Sequence, residues 1–429
     1  MKKNQDIQIH ALSSKGEGIG KLDGLTVFVD GALPQEKVSV EITVQKQKYA
    51  KAKLLSILEP SSVRQEAPCP YFGQCGGCQI MHMSYEGQLA YKRQKVIDAM
   101  VRIGGMEAPD VQDCIGSPNP LHYRNKIQLP IVWDNQEKKM GLYRKATHEI
   151  IPIERCLIQS PLGEKVLHYV QKELRVTSVR YVLIKTSEKK NEALVTFVTD
   201  GRLQNSLKAF ARKLLEDLPF VKGAVENINR RNDSVILSNR ENLLAGRSYI
   251  FETLGTKTFK ISSKSFFQVN PLQAENLYHY VLEKSDLQKS HVVMDAYCGV
   301  GTFSLFAADY ANRVVGAEPV AAAIENAQEN ALLNNVENCD FHCVTAEKLI
   351  KKMEKIDLIY LNPPRKGCSL DLINKIKGKK PEKIIYISCD PATLARDVAL
   401  LKEYRVQSIQ PFDMFPQTSH VETVIELSL

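Results

Sequence analysis

One stretch decides the fold of this chain, His291-Val292-Val293-Met294-Asp295-Ala296-Tyr297-Cys298-Gly299-Val300-Gly301-Thr302-Phe303. An apolar strand ending in Asp295, a turn with Gly299 and Gly301, and an apolar helix form the first βα unit of a doubly wound sheet, where the backbone approaches a ligand closely. Phe303 and Ser304 follow Gly301, so the third glycine of a dinucleotide fingerprint is missing and a pyrophosphate cradle is poorly supported. The stretch predicts an α/β domain with a nucleotide-type site.

A second apolar strand, residues 313–317, supports this prediction because Glu318 follows it directly. An acidic side chain at this point of the fold accepts hydrogen bonds from ribose hydroxyls. Strand, glycine turn, helix, strand and acid together favour S-adenosylmethionine over NAD as the cofactor.

A third apolar strand, residues 356–361, is closed by Asn362-Pro363-Pro364-Arg365-Lys366-Gly367. Two prolines fix the backbone at the carboxyl edge of the sheet, where ligands bind in open α/β folds. We therefore predict that Asn362 faces the cofactor or the substrate base. The alternative is a simple turn. Methyltransferases of amino groups normally carry an aromatic residue after Asn-Pro-Pro, and Arg365 at that place argues against them.

Cys389 lies at another strand-to-helix turn, between the apolar run 383–388 and a helix that starts with Asp390 as N-cap and Pro391 in its first turn. Unpaired backbone N–H groups and the helix dipole at such a place lower a thiol pKa from about 8.5 toward neutrality. The position predicts a nucleophile. The alternative, equally supported by position alone, is a small buried core residue.

These motifs resemble those of the RNA (uracil-5-)-methyltransferases. The resemblance is carried by the runs Ser388-Cys389-Asp390-Pro391-Ala392-Thr393-Leu394-Ala395-Arg396-Asp397, Asn362-Pro363-Pro364-Arg365-Lys366-Gly367, Ser265-Phe266-Phe267-Gln268-Val269-Asn270 and Phe415-Pro416-Gln417-Thr418-Ser419-His420-Val421-Glu422. It covers nearly the whole chain, and the cysteine motif with the terminal His-x-Glu is highly specific. Within the family the chain is most similar to members that modify 23S ribosomal RNA.

The resemblance implies a defined reaction. Carbon 5 of uracil is too weakly nucleophilic to take a methyl group directly, so a thiolate first adds to carbon 6. Cys389 matches this nucleophile. A base must then remove the carbon-5 proton, and Glu422 matches that base. The alternative for Glu422 is a solvated carboxylate on the alternating last strand.

The resemblance also assigns binding residues. It implies that Gln268, Tyr297, Glu318 and Asn362 lie at the cofactor and that Phe266 lies at the target base. The family usually has Asp-Pro-Pro where this chain has Asn362, and asparagine keeps a carbonyl acceptor but loses the charge.

A cysteine cluster forms a second constellation, with Cys69, Cys75 and Cys78 in one glycine-rich run and Cys156 far downstream. Glycines let the chain fold around a centre, so the pattern suggests a four-thiolate metal site. Zinc is a physical rival, since spacing alone does not separate it from an iron–sulfur cluster. Disulfides are a further alternative, although we see no secretory segment and expect no oxidising compartment. The family resemblance implies a [4Fe–4S] cluster.

We divide the chain into three domains. Residues 1–59 show short apolar runs separated by glycine turns, a small OB-like β-barrel pattern that resembles the RNA-binding TRAM domain. Its basic stripe, residues 45–53, suits a phosphate backbone with Tyr49 available to stack; the alternative is a solvated edge strand. Residues 60–250 form a central α+β RNA-binding domain with the cluster. The alternative for its helix, residues 84–103, is packing on the catalytic domain. Residues 251–429 form the Rossmann-like methyltransferase domain.

Charge and composition agree with an RNA partner. The net charge is +8 and the sequence pI is about 8.8 over 429 residues, which suits a polyanion. No apolar run is long enough for a bilayer, so we expect a cytoplasmic protein without a membrane, and no obligate protein partner is evident. We expect 5-methyluridine formation in 23S ribosomal RNA. The alternatives are the same reaction on transfer RNA, whose family enzymes generally lack the barrel and the cysteines, and a non-catalytic RNA-binding assembly factor.

Overall fold

The N-terminal unit is a closed five-stranded barrel. A computed structural model describes residues 4–134, 137–202, 204–231, 233 and 235–429. The barrel strands are β1 (Gln5–Leu12), β2 (Gly18–Leu22), β3 (Leu25–Asp30), β4 (Lys37–Gln45) and β5 (Tyr49–Glu59), paired in the order β1-β2-β3-β5-β4. Alternate residues such as Ile7, Ile9, Val27 and Val29 fill the interior, because successive side chains of a strand point to opposite faces. The predicted barrel is confirmed.

A seven-stranded sheet forms the middle unit, ordered β12-β11-β10-β9-β6-β7-β8. The elements in chain order are α1 (Tyr85–Arg102), β6 (Lys126–Asp134), β7 (Glu137–Tyr143), β8 (Ile150–Pro152), α2 (Pro161–Glu173), β9 (Val179–Ser187), β10 (Glu192–Thr199), α3 (Gln204–Asp217), β11 (Val221–Ile228) and β12 (Glu241–Gly246). Val195 and Phe197 of β10 pack with α2 and α3. Leu194 lies on the other face of the sheet and packs with the C-terminal unit.

The C-terminal unit has the predicted doubly wound α/β architecture. Its elements are β13 (Tyr249–Leu254), β14 (Lys257–Ser262), α4 (Pro271–Ser285), β15 (Val292–Asp295), α5 (Thr302–Ala308), β16 (Arg313–Ala317), α6 (Ala321–Leu333), β17 (Cys339–His342), α7 (Ala346–Lys352), β18 (Leu358–Leu361), α8 (Leu370–Lys379), β19 (Lys383–Ser388), α9 (Pro391–Leu400), β20 (Arg405–Phe412) and β21 (Glu422–Ser428). A hairpin of β13 and β14 precedes a sheet ordered β17-β16-β15-β18-β19-β21-β20.

The strand order of this sheet reverses between β15 and β18. The strands from β17 to β19 are parallel, whereas β21 is antiparallel to both β19 and β20. Ligands bind at the carboxyl edge of such a sheet, next to the reversal. Because β21 is antiparallel to β19, β21 starts at the same edge of the sheet at which β19 ends.

Helix α1 packs on the C-terminal unit although it precedes the middle sheet in sequence. Val96 and Met100 are buried in the core that includes Leu394 of α9 and Ile409 of β20. Ser84 caps the helix by accepting a hydrogen bond from the Gly87 N–H. With 18 residues α1 is still not apolar enough to cross a membrane, and the same holds for every other helix in the described ranges.

Candidate active site

A cavity of about 1600 Å³ opens at the carboxyl edge of the C-terminal sheet. Its wall includes every site residue that the sequence and the family resemblance predicted: Cys69, Cys75, Cys78, Cys156, Phe266, Gln268, Tyr297, Glu318, Asn362, Cys389 and Glu422. They come from the segment between β5 and α1, the loop before α2, the loop after β14, the ends of β15, β16, β18 and β19, and the start of β21. The cavity brings them together, and their individual roles stay predictions.

The first βα turn forms one end of the cavity. Asp295, the last residue of β15, is buried and accepts a hydrogen bond of 2.7 Å from the Ser304 hydroxyl. Burial raises the pKa of Asp295 to about 6. Gly301 has φ +82°, and a Cβ there would stand 3.0 Å from the Phe341 ring. Glycine is required at this position because the backbone is left-handed and a side chain would collide with Phe341.

Acceptors and an aromatic ring continue from this turn. The Glu318 carboxylate, just after β16, accepts a hydrogen bond of 3.0 Å from the Val320 N–H, which holds it at the cavity wall. Asn362 follows β18 on the same edge, and Tyr297 lies half-buried beside the glycine turn. A carboxylate acceptor, an amide and an aromatic ring next to a glycine turn fit an adenosine group, because ribose hydroxyls need acceptors and a base needs an apolar surface.

Cys389 lies at the predicted turn between β19 and α9, but its thiol pKa is raised rather than lowered. Burial is the largest cause, and the negative charge of Glu422 adds to it. The Asp390 carboxylate already accepts the hydrogen bonds of the Ala392 and Thr393 N–H groups at the start of α9. The expectation of a lowered pKa is wrong, because burial and the charge of Glu422 outweigh the groups that stabilise the thiolate, and the N-cap carboxylate already accepts from two of the helix N–H donors.

Arg365 is the group that sequence reasoning missed. A positive charge and a hydrogen bond from its guanidinium lower the pKa of Cys389 and oppose the effect of burial. The same guanidinium charge lowers the pKa of Glu422. From the motif 362–367 the sequence predicted a role for Asn362. Arg365 is the residue of that loop that stabilises the ionised forms of Cys389 and Glu422.

Strand register places Glu422 next to Cys389. Ser388 of β19 is paired with Thr423 of β21, so the residues that follow and precede them are neighbours at the sheet edge. Glu422 is buried, because β21 lies between β19 and β20 and is covered on both faces. The alternative of a solvated carboxylate is wrong. Burial raises its pKa from 4.5 to about 8, so in the absence of ligands the carboxyl is mostly protonated at neutral pH.

The raised pKa of Glu422 predicts a pH-dependent stability. Between about pH 4.5 and 8 the folded protein retains a proton that the unfolded chain has released, so the free energy of unfolding falls as pH rises. Glu422→Gln should remove this loss, which is on the order of 3 to 5 kcal/mol. Urea unfolding at pH 5 and pH 9 should show the variant gaining stability over the wild type at the higher pH.

Glu426→Gln, on the same strand beside Lys383, is the matched control. An equal gain at both pH values would contradict the assignment.

The loop between β14 and α4 carries Phe266 and Gln268 on the cavity wall. The Phe266 side chain is 74% exposed, while the adjacent Phe267 is buried in the core of the C-terminal unit. The neighbouring side chains therefore point in opposite directions. An exposed aromatic ring in a cavity is an unusual use of apolar surface and is suited to stacking on a base.

The four cysteines of the second constellation line the far part of the same cavity. All four are free thiols. Burial raises the pKa of Cys156 to about 11 and that of Cys78 further, and the charges of Cys156, Cys75 and Cys69 add to the shift at Cys78. Within the part of the chain that the structure describes, no group of three or more histidine, cysteine or acidic side chains is positioned as a metal site.

Comparison with known proteins places the chain among the S-adenosylmethionine-dependent RNA methyltransferases, the class that this sheet edge and its thiol suggest. The model of the tRNA (uracil-5-)-methyltransferase family matches residues 84–429, and the chain belongs to that family. A TRAM domain model matches residues 3–55, which form the barrel. Both resemblances found in the sequence are thereby confirmed.

Full-length relatives support this assignment. An RNA methyltransferase of Clostridium tetani is 41% identical over 99% of this chain and 96% of its own length. One from Halalkalibacterium halodurans is 38% identical over 99% and 96% of the two chains. The crystal structure of the Pyrococcus abyssi tRNA (uracil-54, C5)-methyltransferase in complex with S-adenosyl-L-homocysteine matches with a TM-score of 0.78 and 28% identity, covering 99% of this chain and 100% of that one.

Proposed function

We propose that this protein transfers a methyl group from S-adenosylmethionine to carbon 5 of a uridine in 23S ribosomal RNA, with Cys389 as nucleophile and Glu422 as base. One observation carries the proposal: a thiol, a guanidinium and a buried carboxyl meet beside the glycine turn of a nucleotide-type sheet edge. Addition to carbon 6 needs the thiol, removal of the carbon-5 proton needs the carboxyl, and the guanidinium stabilises the thiolate.

The covalent step begins at carbon 6. The Cys389 thiolate adds to carbon 6, and the electron pair of the C5–C6 double bond moves to carbon 5 and the carbonyl oxygen as an enolate. S-adenosylmethionine supplies the electrophilic methyl group when bound. Arg365 opposes the effect of burial on the thiol, since its positive charge stabilises the thiolate.

Proton removal completes the reaction. Once carbon 5 carries the methyl group, Glu422 in its ionised form, which the positive charge of Arg365 favours, takes the carbon-5 proton, the double bond re-forms and the thiolate leaves carbon 6. A carboxyl whose pKa is raised to about 8 is a stronger base than an exposed glutamate. It is also well placed, because the register of β19 and β21 puts it beside the sulfur that must leave.

We propose that the target base leaves its stack and enters the cavity beside Phe266. Carbons 5 and 6 of a stacked uracil are not both accessible to a cysteine and a methyl donor on opposite sides of the ring. The exposed Phe266 ring offers a stacking surface for the base. Gln268, Tyr297, Glu318 and Asn362 are the residues that we propose hold the cofactor, and Asn362 does so as a neutral acceptor.

We propose that Cys69, Cys75, Cys78 and Cys156 hold a [4Fe–4S] cluster. The four residues supply the thiol donors of such a cluster from one cavity wall, and they would lose their protons on binding it. In the described part of the chain they are not drawn together as a metal site, so binding would have to bring them closer. Zinc would use the same ligands. Visible absorbance of anaerobically purified protein, with iron, sulfide and zinc analysis, separates the two. A colourless protein with stoichiometric zinc would contradict the cluster.

Transfer RNA is the second candidate substrate, and the Pyrococcus abyssi match favours it. That transfer-RNA enzyme matches 99% of this chain, barrel included. The barrel therefore does not argue against transfer RNA, contrary to the expectation from the sequence. Ribosomal RNA remains our proposal, because the sequence motifs resemble those of the 23S-modifying members and the cysteine-bearing wall adds a second surface to the cavity.

Methylation assays with both RNAs test the proposal. Unmodified 23S ribosomal RNA and transfer RNA are incubated with the protein and labelled S-adenosylmethionine, and 5-methyluridine is mapped by nuclease digestion and mass spectrometry. We expect incorporation at a uridine of the ribosomal RNA. Incorporation into transfer RNA alone would replace the substrate, whereas no incorporation into either above a Cys389→Ala control would overturn the enzyme proposal.

A further inference from the structure

A buried lysine of the middle sheet holds the loop that carries Phe266 and Gln268. Lys185 lies on β9 and is only 7% exposed. Its ammonium donates hydrogen bonds of 2.8 Å to the Ser262 carbonyl and 2.7 Å to the Ser265 carbonyl. These carbonyls lie at the start of the loop, directly before Phe266. Lys185 therefore acts on a loop of the C-terminal unit from outside that unit.

Asn125 holds the other end of the same loop. Its N–H donates to the Val269 carbonyl at 2.9 Å, and its side-chain amide donates to the Gln268 carbonyl at 3.2 Å. Asn125 is in turn bound to the strand of Lys185, since its carbonyl accepts from the Thr186 N–H at 2.8 Å. Lys185 on β9 and Asn125, just before the neighbouring strand β6, thus hold the loop by hydrogen bonds on both sides of Phe266.

Lys185 makes these contacts at a buried position, where a charged amine loses its hydration. Burial and the neighbouring charge of Lys126 together lower its pKa to about 7, while Glu241 on β12 acts in the opposite direction. A neutral side chain would fill this space without the desolvation of an ammonium. A buried lysine whose two hydrogen bonds both go to one loop is typical of a functional position.

We infer that Lys185 is a positioning residue for methyl transfer. Through the Ser262 and Ser265 carbonyls it fixes Phe266 and Gln268 relative to Cys389, and so it makes the geometry of the active site depend on the middle sheet. The inference rests on the function proposed above for these loop residues. Displacements of about 1 Å in such loops cost on the order of a hundredfold in rate, because the reacting groups lose their alignment.

Lys185→Met tests this inference, with Lys138→Met as matched control. Lys138, on β7 of the same sheet, also donates to two carbonyls, those of Val170 at 2.7 Å and Leu174 at 2.9 Å, and it does not line the cavity. We expect Lys185→Met to lower kcat at least about tenfold with RNA affinity within about threefold of the wild type. Lys138→Met should keep the wild-type kcat. Equal kcat in both variants would overturn the inference.

Hydrogen exchange provides a readout that does not require activity. Amides of residues 262–270 should exchange faster in Lys185→Met, whereas in Lys138→Met faster exchange should appear at the end of α2. Unchanged exchange in 262–270 would overturn the inference even if no RNA is methylated, and an inactive wild type would overturn only the proposed function. Lys185→Gln, whose side chain is uncharged and one bond shorter but still polar, serves the same test if the methionine variant does not fold, with the same expected changes.

Discussion

Cys389→Ala is expected to abolish methyl transfer, with a loss of at least about 10⁴-fold in kcat. The physical reason is that carbon 5 of uracil becomes nucleophilic only after a thiolate has added to carbon 6, and no other thiol is placed between Arg365 and Glu422 in the described structure. Incorporation of labelled methyl groups measures the loss. RNA binding should persist, because the cavity wall and the barrel are unchanged.

Trapping with 5-fluorouridine RNA makes this prediction sharper. Fluorine at carbon 5 cannot be removed as a proton, so the wild type should remain covalently bound to the RNA and migrate as an adduct on a denaturing gel. Cys389→Ala should form none. Cys343→Ala, which removes an exposed cysteine outside the cavity, is the matched control and should form the adduct at the wild-type rate. An adduct with Cys389→Ala would exclude this thiol as the nucleophile.

The largest effect on stability is expected at Asp413. Its carboxylate forms a buried ion pair with Lys92 of α1 at 2.5 Å, with both side chains fully buried, and Lys92 also donates to the Phe415 carbonyl at 3.1 Å. Burial raises the pKa of Asp413 and lowers that of Lys92, while their attraction opposes both shifts. Asp413→Leu should lower the free energy of unfolding by about 3 to 5 kcal/mol, because it leaves a buried charge unpaired.

A double variant separates the effect of the ion pair from the effect of the altered packing. Lys92→Met combined with Asp413→Leu removes both charges and should recover most of the lost stability in urea unfolding. Arg102→Ala serves as control on the same helix, since its ion pair with Asp98 is exposed and should contribute no more than about 1 kcal/mol. If the double variant is no more stable than Asp413→Leu alone, the loss comes from packing and not from the unpaired lysine.

Local signals were sufficient for most of the fold. The run 291–303 contains a strand, a glycine turn and the start of a helix within one short segment, and each depends on neighbouring residues, so β15 and α5 were predictable. The same applies to the Asp390 cap of α9 and to the alternating barrel strands. Helix α1 was different, because its apolar stripe shows that it packs but does not say on which unit.

The electrostatics of the site could not be predicted from local sequence. A strand-to-helix turn suggested an acidic thiol at Cys389, yet Asp390 occupies the helix donors and the neighbouring Glu422 opposes ionisation. An alternating strand suggested a solvated Glu422, yet β21 is buried on both faces. Desolvation depends on everything packed around a group, and most of those groups are distant in sequence.

The sequence by itself determined the class of fold, the barrel, the nucleotide-type turn and the family motifs, because these depend on residue spacing within single elements. Only the tertiary structure decided which groups meet. Arg365, Cys389 and Glu422 follow or begin three different strands, and they become neighbours only because the sheet is ordered β18-β19-β21 with β21 reversed. Lys185 reaches its loop in the same way, across two units, since hydrogen bonds and charges act through space and not along the chain.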